Sequence, residues 1–367
     1  MAASVPTLSV VVPARNRLPL LRYLLASLEA QEAPPADHEL VVVDDASSDG
    51  TVAWLTEQQP GCSLTVVPLP VQVGRARARN AGLAAAGGDV VLFLDADVLA
   101  PPTLLGSHRR QQAAGSCCVT GHPWFWREVC TWRFARPAGP RLDPQLLADW
   151  PAFERWAGGP LAPPGAHPQR AHPAAAPFLW CVTRDLSVRR AVAREVGGFC
   201  PDFRGYGLED WEFGYRLAAA GVSILGDPAA AVWHQAHPPL DRAAGDLARN
   251  YAVFLARHPE AEVALMTHCP PWTDMAAYAR LCVAVDRLRV RAPALCAALT
   301  EVALAAGREW IARGGRPGRG PDWGAWAARW GPARVRQLQI EHTAALGDSR
   351  LRPALAALQR LAGLGGA

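Results

Sequence analysis

Short unbroken apolar runs alternate with longer stretches in which apolar positions recur every three or four residues. "LSVVVPARNR" opens with the β-branched run Val10 to Val12, which predicts a buried strand closed by Pro13. "LPLLRYLLASLEAQ" places Leu21, Leu24, Leu25 and Leu28 on one helical face. "ELVVVDDASSDGT" predicts a second buried strand ending in Asp44 and Asp45, then turn and N-cap chemistry. "TVAWLTEQQ" predicts a helix and "LTVVPLP" a short strand. "GRARARNAGLAAAGG" predicts a helix between Gly74 and the Gly87-Gly88 pair. "VVLFLDADV", residues 90–98, is again a buried strand. Continuous rather than alternating strand hydrophobicity implies an α/β fold, with a mainly parallel sheet covered by helices.

The rhythm then changes. Residues 122–177, rich in Pro, Trp and His, predict an irregular insert or lid. "FLWCVTRDLSVRRAVAREVGGF" predicts a strand and a helix. A Gly-rich turn follows, and Glu209-Asp210 opens a helix running through Ala220 with Gly221 as its cap. Beyond Pro239, "DLARNYAVFLARH", "PALCAALTEVALAAG" and "RPALAALQRLAG" carry helical spacing, interrupted by the linker "RGGRPGRGPDWG". The division expected is 1–239 as one α/β domain and 240–367 as an α-helical appendage.

Asp95 and Asp97 end the most hydrophobic strand, where an ionised carboxylate is costly to bury unpaired. Asp44 and Asp45 end another. In parallel sheets ligands bind at the carboxyl ends of strands, so four carboxylates are expected on one rim, close to Arg15 and Arg79. Such a rim suits a ligand of phosphates plus a divalent cation. Arg75 and Arg77 read as solvated helix charges.

Composition narrows the classes. The 367 residues are 50% hydrophobic and 19% charged, with a formal charge of +4, and no basic cluster marks a nucleic-acid binder. Nine cysteines, an odd number with no CxxC, argue against a zinc ribbon or a fully paired disulfide framework. Buried thiols predict a reducing, cytoplasmic setting. Residues 1–12 lack a signal-peptide pattern and no run predicts a membrane span, which leaves room for peripheral association only.

"VVVPARNR", "VVVDDASSDGT", "GRARARNAGLAAAGGDVVLFLDADV" and "GLEDWEFGYRLAAAG" occur in the order and spacing of family 2 glycosyltransferases. "LSVRRAVAREVGGFCPDFRGYGLEDWEFGYRL" resembles the galactosyltransferase-type segment of bacterial chondroitin-polymerase-like enzymes and β-1,4-galactosyltransferases. The resemblance covers roughly residues 7–238; the helical tail resembles no family. It implies the GT-A fold, a Rossmann-like mixed sheet. It also implies a metal-dependent, inverting transfer from a UDP-sugar donor to a hydroxyl acceptor (a glycan, a lipid-linked sugar, a small molecule or a peptide), as in polysaccharide biosynthesis.

By that resemblance Asp95-x-Asp97 is a DxD motif, with Asp97 the ligand of Mn²⁺ or Mg²⁺ and Asp95 nearer the ribose. His234 in "VWHQAHP" is the further metal contact, with His237 its rival. Asp44 or Asp45 accepts the uracil N3–H, Asp45 being preferred; Pro13, Ala14 and Arg15 wall the base pocket, and Arg79 contacts uracil or phosphate. Asp210 is the general base on the acceptor hydroxyl, Glu209 binds the acceptor, and Trp211 and Tyr206 stack on a sugar face. Each feature has a plainer reading: a solvated turn for the DxD, a helix cap for Glu209-Asp210, a packed histidine beside Trp233. The sequence also departs from the family, with Asp185 where Asn is common and Tyr206 where Trp is common. A sugar-nucleotide pyrophosphorylase would show a Gly-rich, Lys-bearing loop after the first strand, and a Rossmann dehydrogenase GxGxxG; "VVPARNR" has neither. A catalytically weak nucleotide- or carbohydrate-binding module is the remaining alternative, although such a module would be expected to lose the acids.

Overall fold

The computed structural model describes residues 7–115, 117–121, 128–129, 144–157, 159, 168–172, 175–235, 244–271, 273–314 and 341. The chain divides into two compact units. One comprises residues 1–171, 180–205 and 209–241, the other 172–179, 206–208 and 242–367.

The first unit is an α/β sandwich. Its strands are β1 (Leu8–Ala14), β2 (His38–Asp44), β3 (Ser63–Pro68), β4 (Val90–Leu94), β5 (Val98–Leu99), β6 (Cys117–Gly121), β7 (Glu128–Val129), β8 (Gln169–Arg170), β9 (Asp185–Arg189), β10 (Ser223–Asp227) and β11 (Trp233–Gln235). Its helices are α1 (Leu18–Glu29), α2 (Thr51–Thr56), α3 (Arg75–Ala85), α4 (Leu104–Ala114), α5 (Trp150–Trp156), α6 (Arg190–Glu195) and α7 (Glu209–Ala219). The main sheet has the order β3-β2-β1-β4-β9-β6-β10-β8. Pairs among β1 to β4 are parallel, as is β6 with β10, whereas β9 runs antiparallel to both β4 and β6, and β8 antiparallel to β10. The sheet is thus mixed and mostly parallel, as expected of the GT-A arrangement. A second, small sheet has the order β5-β11-β7.

One sheet face carries Val10, Val12, Leu40, Val42, Leu92 and Leu94, packed with the predicted α1 stripe Leu21, Leu24, Leu25 and Leu28. On α3, Gly82 lies so close to the sheet that a Cβ there would fall 2.2 Å from Val11 Cγ1. Phe93 meets Phe199 edge-on with centroids 5.0 Å apart, and Phe199 stacks on Phe213 at 4.4 Å; these contacts tie α7 to β4.

Three expectations need correcting. Pro13 lies inside β1 rather than closing it. Thr7 and Ala14 carbonyls bond on opposite sides of the strand, so by alternation Pro13 faces β4, whose pairing with β1 ends at Val11 and Phe93; its missing N–H therefore costs no ladder bond. The helix expected over "TVAWLTEQQ" stops at Thr56. Within 122–177, of which much lies outside the described residues, α5 is regular. Asp149 caps it by accepting from Ala152 N–H at 3.1 Å, Pro151 sits in its first turn, and Phe153 packs edge-on to Trp233. An Asp-Trp-Pro start was a readable helix signal.

The centre of the mixed sheet holds a buried polar cluster. His108 of α4 bonds Asp185 Oδ1 through Nε2 and Ser187 Oγ through Nδ1, both at 2.8 Å. Asp185 Oδ2 accepts from Gly121 N–H at 2.6 Å. The Asp185 departure from the family pattern is therefore matched by a histidine. His108→Leu would remove the partner of the buried Asp185 Oδ1, while Ser187 Oγ keeps the Gln112 amide at 3.2 Å, at about 1–3 kcal/mol and more for a charged group. It is expected to lower the thermal midpoint by several degrees, and an unchanged melting curve would contradict this.

The second unit is helical: α8 (Ala244–Arg257), α9 (Ala261–Ala264), α10 (Met275–Arg291) and α11 (Pro293–Ala312). Tyr251 of α8 is buried and donates to the Val263 and Ala264 carbonyls at 3.1 Å. The segment "RPALAALQRLAG" lies outside the described residues. Among the described residues no helix is long and apolar enough to cross a membrane. Cys62, Cys118, Cys181, Cys200, Cys269, Cys282 and Cys296 are free thiols.

Candidate active site

Two loop regions at the carboxyl ends of central strands, together with the start of α7, carry the candidate residues. After β1 and β2 the chain adopts left-handed backbone at Asn16 (φ 50°) and Ala46 (φ 57°), an unusual conformation for non-glycine residues. It is held by reciprocal bonds: Asn16 N–H to Ser47 Oγ at 2.9 Å, and Ser48 N–H to Asn16 Oδ1 at 2.8 Å. Arg15, half-buried beyond Pro13 and Ala14, donates to the Asp45 carbonyl at 2.6 Å.

The two acids after β2 differ in what they hold. Asp45 spends its oxygens on the loop before α3, accepting from Val73 N–H at 2.6 Å and Gly74 N–H at 3.0 Å. Asp44 accepts from Ser47 N–H with Oδ2 at 2.9 Å, and its buried Oδ1 has no hydrogen-bond partner. The open acceptor thus belongs to Asp44, not to the Asp45 that the sequence favoured.

The second loop follows β4. Gln235 N–H donates to the Asp97 carbonyl at 2.7 Å, and the buried Gln235 amide donates to Val98 and Leu20 carbonyls at 3.1 and 3.0 Å. With His234 paired to Val98 across the β5–β11 ladder, His234 Nε2 comes within 3.8 Å of Asp97 Oδ1. The two residues proposed for a metal are therefore neighbours, although remote in sequence. Among the described residues no group of three or more His, Cys, Asp or Glu could hold a metal. One carboxylate and one imidazole fit a divalent cation, Mn²⁺ more naturally than Mg²⁺, that takes its remaining ligands from phosphate and water. His237 lies outside the described residues. Gln235 was not singled out from sequence; only its position beside His234 hinted at a role.

The third part is the start of α7. Glu209 is buried and Asp210 half-buried. Arg79 of α3 reaches both Glu209 and Asp95: Nη1 to Glu209 Oε1 at 3.0 Å and Nη2 to Asp95 Oδ1 at 2.9 Å. Burial opposes the Arg79 charge, but Asp95, Glu209 and Asp210 outweigh it and hold the guanidinium above its usual range. Where a uracil or phosphate contact was expected, Arg79 bridges two carboxylates. This was legible in part: Ala76, Arg79, Gly82 and Leu83 share the buried stripe of α3, and a buried cation needs anionic partners.

Asp210 is the most perturbed acid of the site. Burial and the adjacent Glu209 push it up to about 7, against the pull of Arg79 and of the Trp211 N–H, which donates to Asp210 Oδ1 at 2.9 Å. A carboxyl titrating near neutrality beside a fixed acid suits a general base. The same Trp211 contact is also a first-turn cap. The Trp211 ring is half-buried. Tyr206 belongs to the helical unit, where Asp246 and Asn250 hold its backbone at 3.2 Å each.

Residues 9–137 match the family model described as Glycosyl transferase family 2, and residues 185–235 the one described as the N-terminal domain of galactosyltransferase. The chain is 33% identical over 235 residues to a validoxylamine A glucosyltransferase of Streptomyces hygroscopicus subsp. limoneus, covering 60% of this chain and 49% of that protein. It is 26% identical over 287 residues to an uncharacterized glycosyltransferase, YfnE, of Bacillus subtilis, covering 68% and 70%. The chain spans about half the length of the validoxylamine A glucosyltransferases it matches. Among solved structures, residues 1–349 of S. aureus TarS in complex with UDP-GlcNAc align with a TM-score of 0.52 at 16% identity, covering 97% of this chain and 90% of that one; this likeness shows the fold. The matched segments hold the β1, β2 and DxD loops in one case and Glu209, Asp210 and His234 in the other, so the chain carries a glycosyl transferase family 2 region followed by a galactosyltransferase-type segment.

Proposed function

We propose that the protein is a metal-dependent, inverting glycosyltransferase that moves a sugar from a UDP-sugar to a hydroxyl acceptor. The observation that carries this reading is Arg79, which joins the DxD to an acid pair containing a carboxyl that titrates near 7. Donor-binding and proton-accepting groups are thereby parts of one site. The relatives support it, being named glucosyltransferase and glycosyltransferase, as does a TarS structure that holds UDP-GlcNAc.

Asp44 Oδ1 accepts the uracil N3–H, with Pro13, Ala14 and Arg15 beside it, which favours uridine over cytidine. Asp97 and His234 would hold the cation, which would supply charge neutralisation at the diphosphate. Asp210 takes the proton of the acceptor hydroxyl at a carboxylate oxygen, and Glu209 fixes the neighbouring charge. Trp211 offers an aromatic face to the acceptor sugar. Attack from the Asp210 side, opposite the leaving diphosphate, inverts the anomeric centre. The reaction belongs to the domain of residues 1–239, in a cytoplasmic enzyme.

The test is release of UDP from UDP-Glc, UDP-GlcNAc, UDP-Gal and UDP-GalNAc, with Mn²⁺ and with chelator. One donor should give cation-dependent release. Absence of both UDP release and UDP binding across the set would overturn the reading.

A further inference from the structure

Arg79 does more than the transfer reaction strictly demands of a side chain at this position. Its guanidinium is buried, and its two arms reach elements that are far apart in sequence: Asp95 at the end of β4 and Glu209 at the start of α7. The ring of Phe199 lies 5.6 Å beneath the guanidinium carbon. Gly82, one turn further along α3, seats the helix directly on the sheet and so limits where Arg79 can be. Three carboxylates, Asp95, Glu209 and Asp210, share this single cation, and two of them are adjacent in sequence and repel each other.

We infer that Arg79 is a positioning residue for the transfer proposed above, on which this inference rests: by holding Glu209 and Asp95 in two ion pairs, it favours the charged, proton-accepting form of the neighbouring Asp210 carboxylate against the repulsion of those acids. Among the described residues, the charged groups that act on Asp210 are Glu209 from its own helix, Arg79 from α3 and Asp95 from the end of β4. Glu209 and Asp95 disfavour its negative charge. Arg79 and the Trp211 N–H favour it. Without Arg79 the Trp211 N–H would remain on the favourable side, and Glu209 would lose the partner that compensates it. Arginine suits the task because one planar fork can serve two carboxylates at once, whereas a lysine is a single point charge.

The full-length protein labelled with ¹³C at the aspartate carboxyls gives a readout independent of turnover. The Asp210 signal, identified by its loss in Asp210→Asn, is followed through a pH titration. In Arg79→Gln its midpoint should rise by at least about one unit, a tenfold change in proton affinity. Transfer by that variant should be lost near neutral pH and recover as pH rises. Arg79→Lys keeps the charge but can serve only one of the two carboxylates, so its Asp210 midpoint should lie above the wild type and below Arg79→Gln. Glu209→Gln removes the repelling neighbour and should lower the Asp210 midpoint. An Asp210 midpoint unchanged in Arg79→Gln, or a loss of transfer equal at every pH, would overturn the inference. Should Arg79→Gln fail to fold, the decision passes to Arg79→Lys, where an Asp210 midpoint unchanged from the wild type overturns it. A wild type that is inactive with every donor would instead sink the transferase reading while the titrations still judge the electrostatic link.

Discussion

Asp210→Asn is expected to lower sugar transfer by roughly 10²–10⁴-fold, the usual contribution of a positioned general base, while leaving UDP affinity unchanged. The amide oxygen can still accept the Trp211 N–H that the carboxylate now holds at 2.9 Å, so the helix start is preserved. Only the proton acceptor is lost. Stability should change in a pH-dependent way. The folded-state pKa is raised to about 7, so the native protein binds this proton more tightly than the unfolded chain. The stabilisation that gives is complete below the unfolded carboxylate value and is lost as pH rises through about 7. At alkaline pH the wild type carries a disfavoured charge that the variant lacks. Asp210→Asn should therefore melt no lower than wild type at about pH 8, with its relative advantage shrinking toward about pH 4. By the same sign, wild-type transfer should fall as pH drops through about 7. Full activity in the variant would assign Asp210 to capping alone, and retained anomeric configuration in the product would reject single displacement.

Removal of the divalent cation, or Asp97→Asn, should abolish tight nucleotide binding. Asp97 and His234 are 3.8 Å apart and belong to paired strand ends, so they present one oxygen and one nitrogen without a third acidic or imidazole group among the described residues. A site with so few protein donors depends on each of them. Losing a residue that merely supports a ligand commonly costs 10–100-fold in metal affinity, and loss of a direct ligand is expected to cost at least about that much. Calorimetric titration of UDP with Mn²⁺ and with chelator measures the effect. Equal affinity under both conditions would remove the metal from the account. A matching loss in Asp97→Asn and His234→Ala would support the pair.

What was readable from sequence divides along physical lines. Continuous apolar runs announced β1, β2 and β4, because strands covered on both faces need no alternation. Acids at strand ends announced a rim. The five-residue strands β6 and β10 were missed: "CCVTG" and "SILGD" are short and weakly apolar, and only their neighbours in a mixed sheet make them strands. α5 was obscured by the surrounding Pro and Trp, although its cap was in view. The choice between Asp44 and Asp45 could not be read from two adjacent identical residues; it depends on which carboxylate the Val73 and Gly74 N–H groups capture. Arg79 and Glu209 were both singled out, but not their pairing, because ion pairs across distant elements leave no local signature.

The short β5–β11 ladder has a consequence for how such proteins can be recombined. The segment matched as family 2, residues 9–137, contains Asp97, while His234 lies in the segment matched as galactosyltransferase-type, residues 185–235. Each half of the proposed cation site thus lies in a different stretch of chain, and two backbone pairings, Trp233 with Leu99 and His234 with Val98, bring them together. A chimera with its crossover between the two stretches would join a donor-side loop to a foreign partner strand. It could keep every acid and still misplace the imidazole. Exchange of specificity among relatives should therefore succeed when both stretches travel together, and crossovers between them should yield folded chains deficient in nucleotide binding.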